Sequence, residues 1–119
     1  MTYAGLVAVA VVGIGGSVGA VTRHAVGRAV GGRRATATVN VVGSFLLGVV
    51  SAASVGPRFA LLAGTGFCGA FTTYSSFAVE VGGLLTDGDH ENTVLFGFGT
   101  LLAAVTAVLL GRWLVGVAG

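Results

Sequence analysis

Four long apolar stretches, separated by short charged or glycine-rich segments, make up almost the whole chain. Residues 2–22, 35–57, 59–79 and 92–111 carry no charged side chain, and the stretches are 21, 23, 21 and 20 residues long. A helix needs about 20 apolar residues to cross a hydrocarbon core of about 30 Å. The pattern predicts an all-α membrane protein with one domain over residues 1–119. We expect its four transmembrane helices at approximately residues 3–22, 36–55, 59–82 and 93–114.

The composition excludes several classes of protein. The chain has 119 residues, of which 55% are hydrophobic and 8% charged, and its mean hydropathy is +0.99. The four spans leave no room for a soluble catalytic or nucleotide-binding domain. The net charge is only +2 without a basic stripe, which argues against a nucleic-acid partner. Residues 1–6 lack the basic side chains of a signal peptide, so we expect the first span to be retained. The predicted location is the cell membrane, crossed several times.

The third span is interrupted in sequence. Residues 64–80, GTGFCGAFTTYSSFAVE, contain a run of small and hydroxyl-bearing side chains: Gly64, Gly66, Gly69, Thr72, Thr73, Ser75 and Ser76. Glycine in a helix interior costs up to about 1 kcal/mol relative to alanine, and threonine is also unfavourable. In hydrocarbon, a broken helix is tolerated only where the freed backbone groups are buried in protein or line a polar cavity. We therefore predict a helix break here, beside an ion site.

The second span carries a polar stripe on one face. Thr36, Asn40, Ser44 and Gly48 recur every four residues, while the other positions are mostly apolar. A carboxamide inside the membrane is costly unless it is hydrogen-bonded, and its NH2 group can donate to an anion. Asn40 therefore either binds an anion or makes an interhelical hydrogen bond, and the sequence leaves both roles open.

The first span ends in small residues and an arginine. Gly15 and Gly19 lie four residues apart, as do Gly16 and Ala20, which is the spacing of a close helix contact. Arg23 follows one turn after Gly19. It can cap the helix, extend to the headgroups or point into a water-filled entrance. An interfacial structural role is favoured over direct contact with a solute.

Aromatic and polar side chains recur on the third and fourth spans. Tyr74 and Phe77 lie three residues apart, and Glu80 follows three further on. Aromatic rings have a positive edge that can coordinate an anion, although such spacing is more often lipid-facing or core. Glu80 is predicted near the interface, solvated or at a pore mouth. Thr100 lies one turn after Phe96, and its hydroxyl can alternatively bond its own helix carbonyl.

Other features exclude several classes of site. Cys68 is the only cysteine, so no intramolecular disulfide is possible. We expect its side chain to pack as a small apolar group at a helix contact. A loop gathers acidic residues and a histidine around Gly88, but a short flexible turn does not preorganise a metal site. These loop residues are Asp87, Asp89, His90 and Glu91. No nucleophile–base pair shares a rigid face, so we do not expect an enzyme.

Three segments together resemble the CrcB/Fluc family of fluoride channels. They are GGSVGAVTR at residues 15–23, TATVNVVGSFLLG at 36–48 and GFCGAFTTYSSFAVE at 66–80, in the family's order and with four spans. The resemblance implies a dual-topology homodimer, whose two copies insert in opposite orientations. It implies two parallel fluoride pathways and passive, selective export that lowers the intracellular concentration and toxicity of the anion.

The resemblance also implies roles for particular residues. A structural Na⁺ would be held at the dimer centre by the backbone carbonyls of Gly69 and Thr72 from both subunits. The edges of Tyr74 and Phe77 would contact fluoride, and Asn40 would orient those rings. The complete predicted ion pathway consists of Asn40, Tyr74, Phe77, Thr100, Ser75, Ser76, Thr36, Arg23 and Glu80.

One departure from the family pattern keeps other functions open. Tyr74 stands where the family pattern has phenylalanine, and its hydroxyl either donates to fluoride or blocks the path. The alternative function is therefore a non-conducting subunit, or a chain that conducts only as one half of a heterodimer. A small proton-coupled multidrug exporter is less favoured, because such proteins need a carboxylate in the first span and residues 2–22 have none.

The distribution of arginines bears on orientation in the membrane. Four arginines flank the spans on one side of the membrane (Arg23, Arg28, Arg33, Arg34) and two on the other (Arg58, Arg112). This modest bias allows dual insertion.

Overall fold

The computed structural model describes residues 1–119 and is built from helices alone. Helix α1 is Tyr3–Val30, α2 is Gly32–Ala52, α3 covers residues 57–71, α4 is Tyr74–Thr86 and α5 is His90–Ala118. Helices α1, α2 and α5 are each long and apolar enough to cross a membrane. Helices α3 and α4 follow each other directly in the remaining predicted span. The prediction of an all-α membrane protein is confirmed.

Two adjacent glycines lie at the junction of α1 and α2, Gly31 between the helices and Gly32 as the first residue of α2. Helix α1 begins at Tyr3, where the Thr2 side chain accepts a hydrogen bond from the Gly5 N–H at 3.1 Å. It continues beyond Arg23 to Val30, and α2 then starts at once. Gly31 and Gly32 have φ values of 75° and 59°, which L side chains rarely adopt. Since only glycine takes this conformation without strain, the pair allows two long helices to meet in a sharp reversal.

Helix α3 is not uniform. It opens with the α-helical turn Pro57–Ala60, continues as a π-helix over Leu61–Cys68 and closes with the short α-helical segment Gly69–Phe71. Proline at the first position suits a helix start, because its missing N–H has no intrahelical partner there. Eight residues of π-helix are unusual, since such windings mostly occur as single turns, frequently at functional sites.

The glycines of α1 bring it into backbone contact with α3. A methyl group on Gly15 would collide with the Leu62 carbonyl oxygen, and one on Gly19 with that of Phe67. From the opposite side, a methyl group on Gly66 would lie 2.8 Å from the Val12 carbonyl oxygen. The close helix contact predicted from the small residues of α1 is therefore present, with α3 as the partner.

A second glycine contact joins α2 to α5. A methyl group on Gly48 would collide with the Val108 carbonyl oxygen, and one on Gly111 with that of Phe45. Val39 is the most deeply buried large side chain, at 2% exposure, but only 16 of the 119 residues are buried. Most apolar side chains thus face outwards, as a bilayer or a partner subunit requires.

We expect Gly19→Ala to destabilise the fold by about 1–3 kcal/mol, because the added methyl group meets the rigid backbone of α3. Gly13→Ala on the same helix is the matched control, since nothing lies within 4 Å of its added methyl group. Unfolding by SDS in mixed micelles, followed by circular dichroism, measures the difference. Equal stabilities for the two variants would contradict the assigned α1–α3 contact.

Candidate functional site

The chain leaves helical geometry for two residues between α3 and α4. Thr72 has φ −81° and ψ 159°, and Thr73 has φ −145° and ψ 118°, so both are extended. Helix α4 then begins at Tyr74. Two extended residues inside an apolar span leave neighbouring backbone N–H and C=O groups without their regular helical hydrogen-bond partners. Other groups have to satisfy them.

Asn40 on α2 binds both backbone groups of Thr73. The Thr73 N–H donates to Asn40 Oδ1 at 2.7 Å, and Asn40 Nδ2 donates to the Thr73 carbonyl oxygen at 3.0 Å. Of the two roles left open for Asn40, the interhelical hydrogen bond is therefore present. A carboxamide NH2 carries two hydrogens, so one N–H remains for a further acceptor.

The Thr73 side chain in turn organises the start of α4. Its Oγ1 accepts a hydrogen bond from the Ser76 N–H at 3.2 Å and lies 3.3 Å from the Ser75 hydroxyl. Thr73 is buried, with 7% exposure. Thr73 was not among the predicted pathway residues. Threonine directly before the first helical residue is a favoured N-cap, and that signal points to Thr73 once the start of α4 is known.

A cavity of about 610 Å³ opens on one side of the break. Four predicted pathway residues line it, namely Asn40, Tyr74, Phe77 and Thr100, together with both predicted sodium ligands, Gly69 and Thr72. The Thr86 and Thr93 hydroxyls donate to carbonyls four residues earlier in the chain, whereas the Thr100 hydroxyl makes no such bond. It therefore remains available to a ligand in the cavity.

Three aromatic rings form a row beside this cavity. The ring centroids of Tyr74 and Phe77 lie 6.4 Å apart at an interplanar angle of 40°, and those of Phe77 and Phe96 lie 5.5 Å apart at 32°. Tyr74 is 81% exposed at the outer end of the row. Phe96 was not among the predicted site residues, although its place one turn before Thr100 puts it on the same face of α5.

A second cavity of about 400 Å³ lies on the other side of the break. Thr36, Ser76 and Glu80 line it, opposite a basic group formed by Arg23, His24 and Arg28. Thr36 Oγ1 donates to Glu80 Oε1 at 2.7 Å, and Glu80 Oε2 is buried without a partner. Glu80 thus lies within α4 and faces the interior of the protein.

Arg23 points towards the break. Its Nη1 donates to the Thr72 carbonyl oxygen in a long hydrogen bond of 3.4 Å, and it lines the second cavity. Since α1 continues to Val30, Arg23 does not cap the end of this helix, and its observed contact is with the break. Thr73 lines both cavities, so it separates them. Ser75 lines neither, but its hydroxyl contacts Thr73.

The acidic loop before α5 acts as a helix cap. Asp89 accepts hydrogen bonds from the Asn92 backbone N–H at 3.2 Å and from Asn92 Nδ2 at 2.7 Å. The bond from the Asn92 side chain holds the pKa of Asp89 below its ordinary value, helped by the backbone bond and the nearby Arg33 and His90. The charge of Asp89 is thereby used to start α5.

Comparisons with known proteins cover most of the chain. The family model for CrcB-like protein, Camphor Resistance (CrcB), matches residues 10–112. A fluoride-specific ion channel FluC 2 of Natronomonas pharaonis is 52% identical over 101 residues, which is 84% of this chain and 87% of that protein. A fluoride-specific ion channel FluC of Chlorobium chlorochromatii is 39% identical over 119 residues, covering 88% and 92%. A FluC 2 of Rhodococcus jostii is 44% identical over 110 residues, covering 89% and 93%.

Thr36→Val should destabilise the folded protein by about 1–3 kcal/mol, because it removes the hydroxyl that donates to the Glu80 carboxylate. Thr36→Ser should retain most of the stability. Thr38→Val is the matched control on the same helix, since the Thr38 hydroxyl bonds only its own helix, at the Arg34 carbonyl. Thermal unfolding in detergent measures all three. A Thr36→Val variant as stable as Thr38→Val would show that the contact with Glu80 contributes nothing.

Proposed function

The chain belongs to the CrcB family of fluoride channels, and we propose that it forms a passive pore through which fluoride leaves the cytoplasm. Fluoride enters cells as its neutral weak acid and is trapped as the anion at neutral internal pH. A membrane potential that is negative inside then drives the anion out. No chemical step is needed, so the protein acts as a channel and not as an enzyme.

The first cavity supports this function because it gathers groups that suit a small dehydrated anion. Removing water from fluoride is expensive, and a pore offsets the cost only with close donors and positive dipole edges. Asn40 with its second N–H, Thr100 with its unbonded hydroxyl and the rings of Tyr74 and Phe77 line one cavity, and a ring presented edge-on would offer its positive edge to the anion. This convergence is the observation on which the proposal chiefly rests.

The second cavity provides the approach. Arg23, His24 and Arg28 surround it with positive or titratable groups, which raise the local concentration of anions. Hydroxyls of Thr36 and Ser76 line the route, and Ser75 lies beside Thr73, where the two cavities are separated. Fluoride would pass from this basic cavity past Thr73 to the aromatic edges. The buried carboxylate of Glu80 faces the same route.

The first cavity also supports assembly into a dimer. Ser44, Thr65 and Thr100 present hydroxyls to a cavity that is open at the surface of the single chain. Polar groups at membrane depth need cover from protein or water. Gly69 is exposed beside them, and nothing lies within 4 Å of the position where its side chain would start. A second, inverted copy would cover this face and place Gly69 at the dimer centre.

The residues fit the structural Na⁺ that the family implies. In a continuous helix the Thr73 N–H would donate to the Gly69 carbonyl oxygen, but Asn40 takes that N–H. Gly69 and Thr72 both line the first cavity, and the carbonyls of these residues from two subunits would give four oxygen ligands. Arg23 contacts the Thr72 oxygen, which keeps a second lone pair. The bound cation would supply a fixed positive charge at the dimer centre.

One observation favours a second candidate, a subunit that conducts only with a different partner chain. The phenol of Tyr74 stands 81% exposed at the cavity, where a subunit covering this face would meet it. In a homodimer both pathways would carry this hydroxyl. A heterodimer would carry it in only one chain.

Liposomes that contain the purified chain alone should release fluoride rapidly when valinomycin and an outward potassium gradient set the potential. A fluoride electrode follows the release. We expect efflux at least tenfold above that of protein-free liposomes, and little release of chloride, the control anion.

Tyr74→Phe separates the two candidates. If Tyr74 permits conduction, the Tyr74→Phe variant should conduct fluoride at a rate similar to that of the unaltered chain. Folded, dimeric protein that is inactive unless Tyr74 is changed would identify a subunit closed by its own tyrosine. Absence of efflux from both forms would overturn the self-sufficient homodimer.

Dual insertion predicts that each loop is found on both sides of the membrane. In a Cys68→Ala background, Ser54→Cys and Thr86→Cys place single neutral substitutions in exposed positions at opposite ends of the molecule. A membrane-impermeant maleimide added to intact cells should label about half of each variant. Full labelling of one and none of the other would show a single orientation and would contradict the antiparallel homodimer.

A further inference from the structure

We propose that Asn40 and Thr73 are positioning residues of the cation site, which hold open the two backbone carbonyls that bind Na⁺. This inference rests on the function and the sodium site proposed above. It assigns to Asn40 a task beyond its contact with the anion, and to Thr73 a task beyond capping α4.

Asn40 acts on the Gly69 carbonyl. An uninterrupted α-helix would direct the Thr73 N–H to the Gly69 oxygen, four residues earlier. The structure directs it instead to Asn40 Oδ1, at 2.7 Å. Asn40 Nδ2 binds the Thr73 carbonyl as well, so the residue is held at two points and cannot rotate back into the helix. The Gly69 oxygen therefore lacks its regular donor and is available to a cation.

Thr73 acts on the Thr72 carbonyl. The regular helical donor to the Thr72 oxygen would be the Ser76 N–H. That N–H donates to Thr73 Oγ1 at 3.2 Å. Thr72 is also extended, which turns its carbonyl out of the helical direction. Only the Arg23 contact at 3.4 Å remains on that oxygen, and it leaves room for a further ligand.

The two effects form one connected set of bonds. Asn40 fixes the Thr73 backbone, and the fixed Thr73 presents its hydroxyl to the next helix. Gly43, one turn after Asn40, gives the space for this arrangement, because a methyl group there would collide with Thr72 Cγ2. The Asn40 side chain thus has two functions: it binds the break that exposes the cation site, and it lines the cavity assigned to fluoride.

The test measures sodium binding separately from conduction. The protein is purified with N-methyl-D-glucamine as the only cation, and sodium is titrated while the midpoint of thermal unfolding is followed. A ligand that binds only the folded state raises this midpoint as its concentration rises. Fluoride efflux is measured on the same preparations.

Asn40→Leu should weaken the apparent sodium affinity by about 10–100-fold, because the Thr73 N–H can return to the Gly69 oxygen. Asn40→Asp keeps the oxygen that accepts from the Thr73 N–H but loses the donor to the Thr73 carbonyl, so it should retain more of the sodium response than Asn40→Leu while its carboxylate lowers fluoride efflux. Thr73→Ala should weaken sodium binding and Thr73→Ser should preserve it. A general structural defect would not sort the variants in this way.

Thr38→Ala is the matched control, since Thr38 lies on the same helix, donates only to the Arg34 carbonyl and lines neither cavity. It should leave the sodium response unchanged. An unchanged response in folded Asn40→Leu would overturn the proposal. If that variant does not fold, Thr73→Ala decides the matter, and an unchanged response there overturns it.

The proposed function can fail independently. Absence of any sodium response in the unaltered chain would overturn the cation site and this inference with it, while fluoride efflux from the same sample would still support the channel. Sodium-responsive protein without efflux would contradict conduction and leave the role of Asn40 and Thr73 to be judged from the variants.

Discussion

A polar backbone group inside a bilayer has to find a partner within the protein, and the break between α3 and α4 depends on one side chain to meet that requirement. Asn40 accepts from the Thr73 N–H and donates to its carbonyl, so one carboxamide replaces two helical bonds. In a dry environment an unmet pair would cost several kcal/mol. The location of α2 relative to the break is therefore fixed by this contact.

The glycines explain how the remaining helices permit such a break. Gly15 and Gly19 let α1 lie directly on the carbonyls of the π-helical part of α3, and Gly43 leaves space for Thr72. Close backbone contact gives many small dispersion interactions without large side chains. The broken helix is thus held from two sides, by α1 through shape and by α2 through hydrogen bonds. Both cavities lie along this held segment.

The sequence predicts the class of fold and much of the site, but not the exact residues of the break. Four charge-free stretches are sufficient to predict an all-helical membrane protein, and the four-residue repeat from Thr36 to Gly48 predicts a common polar face. Residues 64–80 mark a weak helix, while the extended residues are only Thr72 and Thr73. Local helix propensity does not indicate which residues of this stretch become extended. The hydrogen bond that holds Thr73 in the extended conformation comes from Asn40, 33 residues away in the chain. The pairing of Thr36 with Glu80, across 44 residues, is equally non-local.

The opposite charges of Arg23 and Glu80 in the second cavity do not form an ion pair with each other. Arg23 and Glu80 line the same cavity, yet Arg23 donates to the Thr72 carbonyl and Glu80 accepts from Thr36. A direct ion pair would hold both groups together and reduce the field of the guanidinium. Because Arg23 binds a neutral carbonyl, its positive charge stays next to the break, where the two cavities meet. In the function proposed above, an anion in the basic cavity would meet this charge before it reaches the first cavity, where Asn40 and Thr100 can donate hydrogen bonds to it.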